Sequence, residues 1–379
     1  MKLVTDSGLW ITGGTTATSP LVAVLEVSGA VLSWTIDEPP EAIQIAFTDL
    51  SRADWLWRVV GEPGHVALVS AVQAVPGEPP GIDLAGVDIV PGSVAPLRRL
   101  ALGHWLRRWW PASRRDGIAT LDRTLLDVEV ALLTVGAQGF FTDDTLDSDV
   151  TELLAPHAAA LLTQVRADDP RIRDLVRAAG ELADEVGMEG IGWPELAAAL
   201  EGSAEVHALA FGRRDDYALA AGADGDPRGR APIARGVASV NWGAVPPGIF
   251  DAAEDTVDWS VEPAGPGVVA VVRTAVIGPE SPTGVAVRVG SGAGGEVHGA
   301  GALDADGRAT LPLVDAQQVP MTGVVAWDHD WPSTAVVVGA DIAESRDTRE
   351  RVRRWARARL DHPADDAFLA ETLAAESAY

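Results

Sequence analysis

The chain has 379 residues, and its 55 Asp and Glu against 29 Lys and Arg give it a formal net charge of −26. It contains no cysteine, which excludes disulfides, thiolate metal sites and a cysteine nucleophile. The negative charge repels phosphate backbones, so binding to nucleic acid is not expected and basic partners are favoured. The length and the 47% hydrophobic content predict two or three domains.

The composition also indicates the cellular location of the protein. A lack of cysteine is typical of a reducing compartment, and the N-terminal segment lacks the pattern of a signal peptide. The sequence contains no run of about 18 apolar residues, so no membrane span is predicted. We therefore expect a cytoplasmic protein without a membrane partner. Lys2 is the only lysine, and the excess of Arg, Ala, Gly and Val is typical of a high-GC genome, in the style of an actinobacterium.

Short runs of β-branched and aromatic residues predict a β-rich region over residues 1–92. Gly, Pro, Asp and Glu separate these runs, as expected for an antiparallel sheet or a small sandwich. The predicted strands are 21–27, 30–34, 42–47, 54–60 and 65–70.

Over residues 93–220 the apolar spacing becomes helical. Asp169 followed by Pro170 predicts a helix start, because proline fits the first helical position after an N-cap. This helical region could form one domain with residues 1–92. The stretch 221–236 is rich in Gly, Pro and Asp, and it predicts a linker or a long loop.

Strands return over residues 237–343, where the spacing predicts an immunoglobulin-like β-sandwich, and residues 344–379 predict a helical tail. Asp306-Gly307 predicts a hairpin within 303–313, and this segment resembles turns of small immunoglobulin-like domains in bacterial proteins. The predicted fold class is α+β and multidomain. The predicted strands are 256–261, 268–274, 284–289, 308–313, 323–327 and 334–338.

Two nucleotide-binding motifs lack the context they need. Residues 290–295 match G-x-G-x-x-G, but a Gly-rich, strand-like segment follows instead of a helix. A Walker A loop needs a lysine beside the phosphates, and Lys2 is far from any such loop. The sequence therefore predicts a flexible loop at 290–295 and no organic cofactor.

The densest group of potential metal ligands is Asp328-His329-Asp330. On a strand, alternation would put the two carboxylates on one face. Asp258 from another strand could complete an oxygen-rich site for a divalent cation. His329, or His104 in the helical region, is then the candidate acid–base group. A polar turn between strands is the alternative interpretation.

Arginines and tryptophans interleave in the helical region, and arginines recur in the tail. Such groups bind phosphates and stack on bases, which indicates a nucleotide or phospho-ligand sensor, or a docking surface for a protein. Internal pairing with Asp and Glu is the other interpretation. The candidate partner-binding residues are Trp105, Arg108, Trp109, Arg353 and Arg357.

The small number of reactive groups and the modular layout favour a non-catalytic scaffold or adaptor of a bacterial assembly. It would act through protein–protein contacts, with a partner encoded nearby. A metal-dependent hydrolase that uses Asp and His of the C-terminal β region is one alternative. A nucleotide or phospho-ligand sensor is the other, so enzymatic activity stays open, with a non-enzyme favoured.

Overall fold

The structure, a computed structural model, describes residues 1–14, 17–74, 81–141, 147–166, 169–188, 190–203, 231–292 and 296–377. The chain is α+β, with a β-rich N-terminal region, helices in the middle and further sheets in the C-terminal part. It divides into two units. Unit 1 comprises Met1–Trp110, Leu121–Ala204 and Arg346–Tyr379, and unit 2 comprises Pro111–Thr120 and Glu205–Ser345.

The two units divide the chain differently from the predicted segments. The β-rich and helical regions share unit 1, and the helical tail belongs to the same unit. Residues 111–120, from within the helical region, belong to unit 2. Most of the predicted linker at 221–236 lies outside the described residues.

The strands of unit 1 are β1 (Lys2–Asp6), β2 (Leu9–Thr12), β3 (Val22–Val27), β4 (Ala30–Thr35), β5 (Ile43–Phe47) and β6 (Ile82–Asp83). They pair antiparallel in the order β3-β4-β5-β2-β1-β6. The predictions for β3, β4 and β5 are confirmed. Burial alternates along β3, where Leu25 is buried and Val24 exposed, as expected for a half-buried strand.

Tight turns and helix caps place the secondary structure of unit 1. Ser28 and Gly29 connect β3 to β4. Gly29 has a φ of 71°, and a Cβ there would lie 2.2 Å from the Asp49 carbonyl oxygen, so glycine is required. Farther along, the Asp169 carboxylate accepts the Arg171 N–H, and Pro170 is the first helical residue. The predicted helix start is confirmed.

The helices of the described residues pack mainly on one another and on β3. The second helix lies against β3 and the third helix, and the third helix also contacts the fourth, sixth and tenth. They are α1 (Trp57–Ala74), α2 (Ala95–Trp109), α3 (Arg123–Gln138), α4 (Asp147–Leu154), α5 (Ala158–Gln164), α6 (Pro170–Glu185), α7 (Trp193–Ser203), α8 (Gly323–Asp328), α9 (Arg346–Asp361) and α10 (Leu369–Ser377).

The strands predicted at 54–60 and 65–70 are wrong, because this segment is a short 3₁₀ turn followed by α1. Val60, Gly64 and Leu68 are buried at a spacing of four, which is the period of a helix face. The helical period could not be recognised in the sequence, because Gly64 contributes no apolar side chain to the buried face. Gly61 lies outside helical backbone space, with φ 74° and ψ 158°, so α1 is kinked there.

The contact of α2 with α3 depends on Gly103. A Cβ at Gly103 would lie 2.5 Å from Val130 Cγ2 and 2.9 Å from Phe368 Cζ. We therefore expect Gly103→Ala to lower the free energy of unfolding by about 1–3 kcal/mol through overpacking, measured by urea denaturation. Gly136→Ala in α3 is the control, since nothing lies within 4 Å of its Cβ position. It should stabilise by about 0.5–1 kcal/mol through helix propensity, and equal effects at both sites would contradict the packing argument.

Unit 2 contains two four-stranded antiparallel sheets, ordered β12-β9-β8-β7 and β13-β11-β10-β14. Buried residues of both sheets form one core, which includes Val257 and Val272 from one sheet and Val287 and Val289 from the other. The strands are β7 (Ala234–Ala238), β8 (Val257–Ala264), β9 (Gly267–Thr274), β10 (Ala286–Ser291), β11 (Val297–Ala302), β12 (Arg308–Pro312), β13 (Val314–Asp315) and β14 (Ala335–Val338).

The strand order does not confirm an immunoglobulin-like sandwich. In that fold the second and third strands lie in different sheets, whereas β8 and β9 pair in one sheet. The hairpin predicted at 303–313 is also wrong, since β11 and β12 belong to different sheets. The Asp304 carboxylate accepts N–H groups of Asp306 and Arg308, so this turn carries the chain from one sheet to the other.

The strand predicted at 323–327 is the short helix α8. The Ala326 N–H donates to the Thr322 carbonyl at 3.0 Å. The indole N–H of buried Trp331 donates to the Ala326 carbonyl at 2.8 Å. This hydrogen bond satisfies a carbonyl that the end of a helix leaves unpaired. The helical conformation is thereby stabilised against the strand that the β-propensity of the valines favours.

Candidate functional site

The predicted metal ligands do not converge. Asp258 is exposed on β8, directly across from Arg273 of β9. Asp328 ends α8, and Asp330 precedes a short 3₁₀ turn, so strand alternation does not place these two carboxylates on one face. No three His, Asp or Glu side chains of the described ranges are grouped so that they could hold a metal ion.

His329 forms a polar cluster with two hydroxyls. Its Nε2 lies 2.9 Å from Ser291 Oγ, which also accepts the Thr334 hydroxyl at 3.0 Å. The centres of the His329 and Trp331 rings lie 4.5 Å apart, and the two rings pack edge to face. Ser291 is only 1% exposed, and across the described ranges no carboxylate hydrogen-bonds to His329. A buried hydroxyl and an imidazole without an orienting acid do not make an accessible nucleophile, so we assign this cluster a structural role.

His104, the other candidate acid–base residue, is half-buried in α2 of unit 1. His329 belongs to unit 2.

A hydroxyl, an imidazole and a carboxylate do meet in unit 1. His157 Nε2 lies 2.9 Å from Asp127 Oδ2, and its Nδ1 lies 3.3 Å from Thr124 Oγ1. Arg107 and Arg123 also contact the Asp127 carboxylate, at 2.6 Å and 2.9 Å. In the sequence only the i, i+4 spacing of Arg123 and Asp127 signals part of this cluster, because Arg107 comes from α2 and His157 from the start of α5.

The Asp127 carboxylate is the centre of this cluster. Burial raises the pKa of Asp127, but the hydrogen bond with His157 and the charges of Arg123 and Arg107 outweigh burial and hold the pKa below its ordinary value. The carboxylate is thus ionised and ties three helices together. Asp127 and His157 are both under 10% exposed, so the cluster supports the fold and offers little access to a substrate.

Of the five candidate partner-binding residues, two are buried and three are partly exposed. Trp105 is 2% exposed, its indole N–H donates to the Pro20 carbonyl at 2.6 Å, and its ring packs edge-on against Trp355. Arg353 is buried as well and pairs with Glu350 at 3.1 Å. Their burial does not support a contact surface, and a partner-binding role for these two residues stays a prediction.

The other three candidates remain partly exposed. The Arg108 guanidinium lies 4.3 Å from the centre of the Trp109 ring. Arg357 lies 3.8 Å from Glu350. A partner-binding role for Arg108, Trp109 and Arg357 stays a prediction.

Unit 2 carries a surface that the sequence analysis missed. Val324, Val325 and Trp327 of α8 are 76%, 55% and 62% exposed, whereas Ala326 is fully buried. A helix turns about 100° per residue, so these three side chains occupy the arc that faces away from Ala326. We call Val324, Val325 and Trp327 the α8 surface. Reading 323–327 as a strand concealed it, since alternation would have buried part of the set.

A groove of about 640 Å³ lies on the outer face of β7, β8 and β9. Its charged lining balances two cations, Arg235 and Arg273, against two anions, Asp258 and Glu262. With opposite charges balanced, the groove favours neither an anionic nor a cationic ligand. The α8 surface therefore provides the clearer binding feature of unit 2.

Comparison of the chain with protein-family models, with curated proteins and with solved structures found no match. Among the described residues, no helix combines the length and the apolar character needed to cross a bilayer.

Proposed function

We propose that this chain is a non-catalytic scaffold or adaptor of a bacterial assembly and that it binds a protein partner through the α8 surface. The observation that carries the proposal is the exposure of Val324, Val325 and Trp327 on one short helix. Contiguous apolar patches on a soluble surface mark interaction sites. Tryptophan is among the residues that contribute most binding energy at protein interfaces.

The position of α8 on unit 2 supports the proposal. Ala326 is fully buried, and Met321 and Trp331 on either side of α8 belong to the core of unit 2. The α8 surface is thus held in place before a partner arrives. A pre-organised surface loses less conformational entropy on binding, which favours affinity.

The two alternative functions have less support. A metal-dependent hydrolase would need Asp258, Asp328 and Asp330 around one ion, and these residues are not grouped in that way. A sensor that uses the arginines and tryptophans of α2 and the tail helix α9 would lose Trp105 of α2 and Arg353 of α9, which are both buried. We therefore favour the scaffold.

We also propose a cytoplasmic location, which the absence of cysteine supports. The partner is proposed to be encoded nearby, as is common for components of one bacterial assembly. Nucleic acid is not the expected partner, because the chain carries a formal net charge of −26.

Photo-crosslinking in the native host tests the contact surface. A benzophenone amino acid replaces Val325 in one version of the full chain and Val237 in the control, since both positions are 55% exposed in unit 2. We expect one discrete adduct from position 325 and none at the same mass from position 237. Adding Trp327→Ala should abolish the adduct. Identical labelling from both positions, or none from position 325, would contradict the proposal.

The captured protein is then purified and titrated against the purified chain. We expect Trp327→Ala to weaken binding at least about thirtyfold, as for an interface anchor worth about 2 kcal/mol. Val237→Ala should change binding less than about threefold. Because Trp327 is exposed, its replacement should alter the free energy of unfolding by less than about 0.5 kcal/mol, which separates a lost contact from a lost fold.

A further inference from the structure

We infer that the partner covers the α8 surface with an apolar segment flanked by Lys or Arg side chains. This inference rests on the proposed function and adds the chemistry of the partner to it. The observation behind it is a pair of carboxylates beside the apolar side chains. Asp328 is the last residue of α8, and Asp330 follows two residues later; both are exposed.

Asp328 lies within the arc that a partner would cover. Projected at about 100° per residue, it falls between Val324 and Val325 on the side of α8 opposite Ala326. A partner that buries the valines and Trp327 therefore removes water from the Asp328 carboxylate. Desolvating a carboxylate without a counter-charge is costly, so a partner that supplies a cation at this position is favoured over one that does not.

The protein itself does not supply that cation in the part of the chain that the structure describes. The nearest basic group in sequence, His329, is directed to Ser291. Asp330 makes no side-chain capping hydrogen bond at the 3₁₀ turn that follows it. Within the described ranges, neither Asp328 nor Asp330 forms a salt bridge, so both carboxylates are available to a partner.

The charge of the whole chain acts in the same direction. A formal net charge of −26 attracts basic partners over long distances and repels acidic ones. Charges of this kind mainly accelerate association and select the partner, whereas the apolar contacts keep the complex together. The apolar centre and the acidic border of the α8 surface thus have complementary roles.

A second copy of this chain fits the α8 surface poorly. In a two-fold symmetric dimer the same patch occurs on both sides of the interface. The Asp328 and Asp330 carboxylates of both copies would then lie in one interface to which the α8 surface contributes no Lys or Arg, and like charges at an interface are unfavourable. We therefore commit to a basic segment of a different protein as the occupant.

Selection from a phage-displayed library of random peptides tests this chemistry. The full chain is the bait, and peptides that also bind the Trp327→Ser variant are removed. We expect the remaining peptides to combine apolar residues with an excess of Lys and Arg. Affinity of a synthetic representative, measured by fluorescence anisotropy, should fall about tenfold as ionic strength rises from about 0.1 M to about 1 M, because the Debye length shrinks from about 10 Å to about 3 Å.

Variants of the carboxylates complete the test. The double variant Asp328→Asn/Asp330→Asn should weaken the same peptide about threefold to tenfold, whereas the matched control Asp304→Asn/Asp306→Asn, at an exposed turn of unit 2, should not. Peptides that need Trp327 but are acidic or neutral, or that ignore the double variant, would overturn the inferred chemistry and leave the docking surface intact. Absence of any Trp327-dependent peptide would count against the proposed function itself. A sedimentation profile that shows a dimer dissociated by Trp327→Ser would identify a second copy as the occupant and overturn the inference.

Discussion

Replacement of Glu371 with alanine is expected to lower the free energy of unfolding of unit 1 by about 3–5 kcal/mol. The Glu371 side chain is fully buried. Its carboxylate accepts two hydrogen bonds from the Arg359 guanidinium, at 2.6 Å and 2.8 Å, and one from the Phe368 N–H. The variant would leave the Arg359 guanidinium buried with only part of its counter-charge, since Asp366 contacts a different nitrogen at 2.9 Å.

The electrostatics of Arg359 explain the size of the effect. Burial lowers the pKa of Arg359, but the hydrogen bond and charge of Glu371, with those of Asp366, outweigh burial and raise the pKa above its ordinary value. The guanidinium therefore stays charged after Glu371 is lost. Breaking a buried ion pair is costly for this reason, even where forming the pair adds little net stability.

Urea denaturation followed by circular dichroism measures the change, with the transition of unit 1 fitted separately from that of unit 2. Glu376→Ala on the same helix is the matched control, since Glu376 is exposed and pairs with exposed Arg171, and a loss below about 1 kcal/mol is expected. The double variant Arg359→Met/Glu371→Leu should recover most of the loss, because both members of the pair are gone and Asp366 keeps its salt bridge with Arg98 at 2.8 Å. A single-variant effect no larger than that of the control would contradict the assignment.

Replacement of Asp127 with asparagine should destabilise unit 1 by about 1–3 kcal/mol at pH 7, the cost of losing hydrogen bonds to a charged group whose arginine partners keep contact with water. The variant leaves Arg107 and Arg123 without the carboxylate that both contact. The cost should depend on pH, because the pKa of Asp127 is held below its ordinary value in the folded state. A lowered pKa means that the carboxylate adds stability above the pKa of the unfolded chain, and this stability is lost as pH falls through the folded pKa.

The measurement is a pair of stability curves against pH for the wild type and Asp127→Asn. The difference between them should be constant from about pH 7 to about pH 5 and should shrink below about pH 4, where the wild-type carboxylate takes up a proton. Asp174→Asn, an exposed residue paired with Arg177, should follow the wild type within about 0.5 kcal/mol. A difference that grows on acidification has the wrong sign for this explanation.

Local pattern predicted the regular parts of unit 1. The strand β3 and the cap at Asp169 were both predicted correctly, because each depends on neighbours within a few residues. The segment 323–327 was read incorrectly for a related reason. Valines favour a strand in isolation, whereas the helix α8 is held by the hydrogen bond from Trp331, which depends on burial of the indole and not on the apolar pattern of 323–327.

The candidate sites were harder to predict than the strands and helices. Trp105 shares a helical face with Trp109, a pattern that suits either a contact surface or a core, and only its contacts with Pro20 and Trp355 identify it as core. The sequence analysis made no prediction for Asp127, because its partners Arg107 and His157 lie 20 and 30 residues away in the chain. The α8 surface was hidden by the wrong secondary structure.

Composition and short-range periodicity were sufficient for the excess of negative charge, the absence of thiol chemistry and the α+β class, because these properties depend on residue counts or on near neighbours. The folded chain was needed to show that the tail helix α9 belongs to unit 1, that Asp258, Asp328 and Asp330 are not grouped around one ion, and that Trp327 faces solvent while Trp105 does not. The physical reason is that burial and ion pairing arise between segments far apart along the polypeptide. Their energies depend on interatomic distances and on the access of water, and the amino-acid sequence gives neither quantity directly.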